Sequence, residues 1–206
     1  GTLGAGVIHS GETQEQGGQA GGMSICTDQY RADKRLILGF HVVPDCWLLQ
    51  GGTTGGGGVM RWLEREFGAY EREEGKRQGK SSLDLFNEEA AAVAPGSDGV
   101  IFLPYMSGER TPIWDPNAKG VYYGLDFSKT KGHFIRAAME GTAYALKHNL
   151  DVAEEAGAKV TAVSDGKQAV EYFADAASGT YDVILMDIMM PVMNGYEAAK
   201  MIRSLD

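Results

Sequence analysis

GVYYGLDFSKTKGHFIRAAME, residues 120–140, is the stretch on which the fold turns. Gly120 and Gly124 punctuate a short aromatic run, a polar turn follows, and from His133 onward apolar residues return at helical spacing. HFIRAAMEGTAYALKHNLDVAEEAG (133–157) therefore reads as one long helix closed by Gly157. A second stretch, YDVILMDIMMPVMNG (181–195), follows a different grammar. Its nearly unbroken apolar run suits a strand covered on both faces in a parallel sheet. Asp187 stands at the C-terminal end of that run, where ligand sites of α/β sheets lie.

Around these two stretches the chain alternates strands and helices, which predicts an α/β fold class. KVTAVS (159–164) is read as a strand, DGKQAVEYFADAAS (165–178) as a helix with Ala169, Val170, Phe173 and Ala177 inward, and NGYEAAKMIRSL (194–205) as a final helix. Upstream, GVIFLPY (99–105) reads as a buried strand entering the loop SGERTPIWDPNAKG (107–120). SLDLFNEEAAAVAPG (82–96) reads as a helix ended by Pro95-Gly96, and EREEGKRQGK (71–80) as a solvated charged stretch. VMRWLEREFG (59–68) is a helix with Met60, Leu63 and Phe67 on one face, and LILGFHVV (36–43) a strand. Glycine crowds the front in GGQAGG (17–22) and GGTTGGGG (51–58), permitting turns with positive φ and close backbone approach. The opening GTLGAGVIHSGE is strand-like, with neither the charged n-region nor the apolar h-region of a signal peptide, and begins as an excised piece would.

Composition excludes several functions. Hydrophobic residues make up 43% and charged residues 23% of the 206, ordinary for a chain that buries a core. A net charge of −9 argues against nonspecific binding to nucleic acid or an anionic membrane, and no apolar run reaches the ~20 residues of a membrane-spanning helix. Cys26 and Cys46 can pair, but in an acidic chain they read as reduced thiols without zinc-site spacing, in a cytoplasmic setting. Trp47, Trp62 and Trp114 read as packing residues.

FLPYMSGERTP (102–112), followed by the 120–140 stretch, resembles the second signature of the FGGY carbohydrate kinases, the xylulokinase and glycerol kinase family. Gly120, Tyr122, Gly124 and Leu125 come first; after seven intervening residues come His133-Phe134, then Ala137-Ala138-Met139-Glu140. The initial Gly-Thr and GGTTGGGGVMRWLE also fit that family's C-terminal lobe, so the resemblance runs from residue 1 to about 157. It implies a ribonuclease H-like lobe of the actin-like ATPase type, with ATP and Mg²⁺ as cofactors and phosphoryl transfer from ATP to a sugar hydroxyl. It would place Gly1 and Thr2 in the loop approaching the ATP phosphates, and Gly51, Gly52 and Gly55 in a run before a helix N-terminus, which favours anions. By itself that run lacks the GK[ST] ending of a P-loop and also fits a flexible turn. Glu109 and Arg110 are candidates for the substrate loop. Arg110 suits a bidentate phosphate or carboxylate contact, or a structural pair with Glu109. His133 reads as a cap or surface residue. The family's sugar-binding N-terminal lobe, its catalytic Asp and its adenosine loop have no counterpart in these residues, so this stretch alone is expected not to turn over.

Residues from about 151 to 206 resemble the middle of a response-regulator receiver domain, flavodoxin-like in fold, with Pro191 and Gly195 in the turn after the acceptor. By that resemblance Asp187 is phospho-acceptor and metal ligand, with the Met189 carbonyl also on Mg²⁺. The family's acidic pair and its later Ser/Thr and Lys are not in this sequence, and one Asp is a poor Mg²⁺ site, so Asp187 also fits a leftover buried or edge residue. Asp165 and Asp182 read as cap and turn.

The expected domains are 1–157, an incomplete kinase lobe, and 158–206, a partial receiver of βαβα form. AEEAGAKV (153–160) suits both families, so the two parts can share one α/β sheet. Three functions stay open: part of a sugar kinase, a signalling module phosphorylated on Asp187, and a ligand-free structural chimera. The implied partners are a nucleotide or phosphate, the missing kinase lobe or a histidine kinase, and a second copy through uncovered sheet edges.

Overall fold

The computed structural model describes residues 1–158, 163, 165–176 and 192–204. A four-stranded antiparallel sheet in the order β1-β2-β4-β3 comes from β1 (Thr13–Gly17), β2 (Gly21–Thr27), β3 (Ile37–Phe40) and β4 (Trp47–Thr53). Register pairs Ile25 with Leu49 and Leu49 with Leu38, placing all three on one face with Met23. Helix α4 (Lys131–Glu155) lies over that face and closes it with Val152 and Ala153. The opening residues, expected as strand-like, form a 3₁₀ turn over Thr2–Ala5 instead. Gly1, Gly4 and Gly6 flank and interrupt that segment, and glycine disfavours a strand; Gly6 closes the turn at φ 82°.

The same 25-residue helix serves a second core with its N-terminal half. Ile135, Ala137 and Ala138 pack against Val59 and Leu63 of α1 (Gly57–Phe67), Phe86 and Ala90 of α3 (Ser82–Ala91), and Phe102 of β5 (Ile101–Leu103). Each large side chain buried there is worth about 1.5–3 kcal/mol. Phe67 does not join α1's buried stripe as expected; it is exposed and packs edge-on against Trp62, while Val59 is buried in its place. Thr130 caps α4, its N–H donating to His133 Nδ1 at 3.0 Å, so His133 is the cap residue the sequence suggested.

Two local expectations are corrected. The charged stretch 71–80 lies in and just past a helix, α2 (Ala69–Gln78), held by Lys76–Glu73 and Arg77–Glu74 pairs and ended by Gly79 at φ 68°. Glu71 is fully buried and pairs with Lys131, which lies 3.8 Å from Glu89, so three helices meet on one ammonium. Burial is the largest single effect and opposes ionisation of Glu71, but the bonds and charge of Lys131, with Glu89 and the backbone adding, together leave its pKa lowered. Strand β5, expected to be buried, pairs with β6 (Val121–Tyr123) and buries only one face. Phe102 and Tyr122 point into the core with ring centroids 4.5 Å apart, whereas Ile101, Leu103, Val121 and Tyr123 are exposed.

Farther along, α5 (Gly166–Asp175) and α6 (Gly195–Ile202) pack through Val170, Ala198 and Ile202, with Phe173 and Met193 beside them. Asp165 caps α5 by accepting from Gln168 N–H at 2.8 Å, as its spacing suggested. The strands expected at 159–164 and 181–187, with Asp182, Asp187 and Pro191, lie outside the described residues apart from Val163. The shared-sheet expectation rests on those strands.

Candidate functional site

The glycine run of the sequence is a junction at which four segments meet, and its glycines serve close approach. Gly51 and Gly52 are not loop residues; they continue β4, opposite Met23 and Gly22 of β2. A β-carbon on Gly51 would stand 2.5 Å from Asn149 Oδ1 of α4, and one on Gly57 2.7 Å from the Gly18 carbonyl oxygen. At Gly55 and Gly56 it would meet the backbones of Pro104 and of Ala20-Gly21. No glycine of 17–22 or 51–58 takes positive φ, so of the two uses expected of these runs it is close approach, not left-handed backbone, that is realised.

The SGERTP loop is stapled onto this junction by Glu109, which is 4% exposed. Its carboxylate accepts from Thr53 Oγ1 at 2.6 Å, from Thr54 N–H at 3.0 Å and from Arg110 N–H at 2.7 Å. Thr54 Oγ1 donates to the Gly108 carbonyl, and the buried Thr111 hydroxyl bonds both the N–H and the carbonyl of Gly52. Glu109 is thus a structural clamp through hydroxyl and backbone donors, not the Glu–Arg pair considered from sequence. Its neighbour Arg110 is exposed, and its guanidinium has no ion-pair or hydrogen-bond partner among the described residues. Nη2 of Arg110 lies 3.8 Å from where a β-carbon on Gly52 would be, above the β2–β4 pair.

The β1–β2 turn, GGQAGG (17–22), sits against the start of α1. The Gln19 carbonyl accepts from the N–H groups of both Gly56 and Gly58 at 3.0 Å, so α1's first donors are satisfied by protein. Gly17, Gly18 and Gln19 are exposed at the tip. Sequence reasoning saw this turn but did not place it in the site; a glycine cluster between two short runs at hairpin spacing was the signal available. Gly1 and Thr2 belong to the 3₁₀ turn, where their carbonyls accept from Ala5 and Val7 N–H. Asp187 is outside the described residues. Among those residues no group of three His, Cys, Asp or Glu could hold a metal ion, and no helix is long and apolar enough to cross a membrane. An unpartnered guanidinium above glycine backbone fits a phosphate.

Comparison with known proteins agrees with this geometry. Residues 23–164 match the family model described as the FGGY family of carbohydrate kinases, C-terminal domain, and residues 142–206 match the response regulator receiver domain. The two matches overlap on the C-terminal part of α4. A gluconokinase from Bacillus subtilis (strain 168) is 37% identical over 145 residues, covering 70% of this chain and 28% of that protein. A xylulose kinase from Staphylococcus epidermidis is 31% identical over 168 residues, 80% of this chain and 32% of that protein. The crystal structure of xylulose kinase from Rhodospirillum rubrum superposes with a TM-score of 0.64 at 31% identity, over 76% of this chain and 30% of that one. This chain therefore spans about a third or less of the length of these relatives, and its described lobe has their actin-like, ribonuclease H-type fold.

Proposed function

Because the chain belongs to the FGGY family of carbohydrate kinases through that family's C-terminal domain, we propose that it is the nucleotide-side lobe of an ATP-dependent sugar kinase. The observation that carries this reading is the unpaired Arg110 guanidinium above Gly52, where β4 pairs with Gly22 at the end of the Gly17–Gly22 turn. Turn N–H groups and Arg110 would hold the terminal phosphates of ATP and neutralise charge as the phosphoryl group leaves. Gly51, Gly52 and Gly55 act one step back, by letting β2, β4 and the 104–112 segment close around that turn. Relatives named for gluconate and xylulose make a small polyhydroxy sugar or sugar acid the proposed acceptor. A second lobe would supply the acceptor's contacts and the base, since such transfer is mostly positioning and charge stabilisation. The reading includes a cytoplasmic setting and excludes nucleic acid as a partner, consistent with the net charge of −9.

Thermal melts of the 206-residue chain with and without Mg²⁺-ATP test it. Saturating nucleotide should raise the transition, as ligand at a hundred times its Kd adds about 2.7 kcal/mol. Arg110→Ala should melt like the parent without nucleotide and lose the shift with it. A parent transition indifferent to nucleotide would overturn the proposal.

The receiver match supports a second reading, in which Asp187 accepts a phosphoryl group. Acetyl phosphate with Mg²⁺ should then add one phosphoryl mass that Asp187→Asn abolishes. No mass gain removes this reading.

A further inference from the structure

The two faces of the small β5–β6 sheet have opposite surroundings. Register sets Ile101 opposite Tyr123 and Leu103 opposite Val121. Phe102 and Tyr122, the residues between them, turn into the core beneath α4, so alternation puts the other four on the outward face. All four are exposed, Tyr123 by 72% and Ile101 by 54%. Leu125 and Phe127 continue the chain past Gly124, which turns at φ 86°, and both are exposed as well. None of the six carries a charge. The acidic groups beside them, Asp98 and Asp126, are taken up by Lys129 at 2.5 and 3.7 Å.

We propose that this face is a self-association surface, on which a second copy of the chain packs its own β5–β6 face about a two-fold axis. Area assigns the occupant. Tyr123 and Phe127 offer about 300 Å² of ring surface, and the four partly exposed aliphatic side chains about 200 Å² more. A homodimer interface of ordinary size takes about 800 Å² from each partner, roughly 65% of it apolar, which is about 500 Å². The patch therefore supplies the apolar share of one side of such an interface. A two-fold axis lying between the faces and across the strands sets the Tyr123 end of one copy on the Val121 end of the other, so bulky meets small. A charged partner would find no opposite charge among the six, and the net charge of −9 repels an anionic membrane. That same charge opposes the meeting of two copies at long range, so added salt strengthens the pairing.

Sedimentation velocity of the 206-residue chain in reducing buffer, across a concentration series, gives the test. The parent should pass from one chain mass to two and go no further, and salt should favour the two-chain form. Tyr123→Lys and Leu103→Lys should each weaken association by about thirtyfold or more, because each replaces a central apolar contact with a buried charge. Both positions are exposed in the single chain, so far-UV circular dichroism and Tm in dilute solution should match the parent. Phe40→Lys, at an exposed position on β3, should associate as the parent does. A parent of one chain mass at every concentration would overturn the proposal and leave the face to an unlike partner such as a second kinase lobe. Growth beyond two chains would overturn the two-fold arrangement. Undiminished association of both lysine variants on the small sheet, or loss of association in Phe40→Lys alone, would overturn the assignment to this face.

Discussion

Gly55→Ala tests the claim that the glycine run is a packing device before it is anything else. A β-carbon at Gly55 would stand 2.7 Å from Pro104 Cβ and 2.9 Å from its carbonyl carbon, closer still to the oxygen. The obstacle is a proline backbone, so no rotamer change relieves it, and the 104–112 segment must move. That movement strains the Glu109 bonds to Thr53 and Thr54. Overpacking ordinarily costs about 1–3 kcal/mol, and an immovable obstacle puts this variant near 3. At roughly 2–4 °C per kcal/mol for a chain of this size, Tm should fall by about 6–12 °C without nucleotide. Gly39→Ala is the control, because its β-carbon would meet only Gln50 Oε1 at 3.9 Å. With negative φ in a strand it should be neutral or stabilise by up to ~1 kcal/mol. Melts followed by far-UV circular dichroism decide the matter. If Gly55→Ala melted within about 2 °C of the parent, the packing account of the junction would be wrong.

Two further outcomes follow from the clamp and from the ion pairs. Glu109→Gln leaves one acceptor for three donors and turns an amide NH₂ toward them, so urea unfolding should show a loss of about 2–3 kcal/mol with unchanged m; stability equal to the parent would refute the clamp. Asp33 accepts from the Arg35 side chain, then from the Arg35 backbone N–H, and these hold its carboxyl down to about 2. A depressed carboxylate stabilises fully above its unfolded value of about 3.9 and loses that contribution as pH falls through the folded value. The Tm gap between parent and Asp33→Asn should therefore be constant above pH ~4 and close between ~4 and ~2; a gap unchanged at pH 2 would refute the pairing.

Local physics made much of this molecule legible in its residues. Asp165 announces the start of α5, and Pro95-Gly96 the end of α3, because capping and chain reversal depend only on residues a few positions away. The signature at 120–140 pointed to the kinase lobe, and Gly157 closes α4 at φ 91° as its position implied. Long-range contacts were not legible. Nothing within ten residues of Gly51 or Gly55 says that Asn149 or Pro104 will stand against them, so a packing run reads like a flexible or phosphate-binding loop. Glu71 looks like one more solvated charge until α4 brings Lys131 beside it. Glu109 and Arg110 adjoin in sequence, but only the approach of Thr53 and Thr54 consumes one charge and leaves the other open to solvent. The sequence by itself determined the family, the helices other than α2 and the candidate residues, since these follow from neighbours a few positions apart. Which glycines pack and which charge is buried were decided by tertiary structure alone, because each depends on partners that only folding brings together.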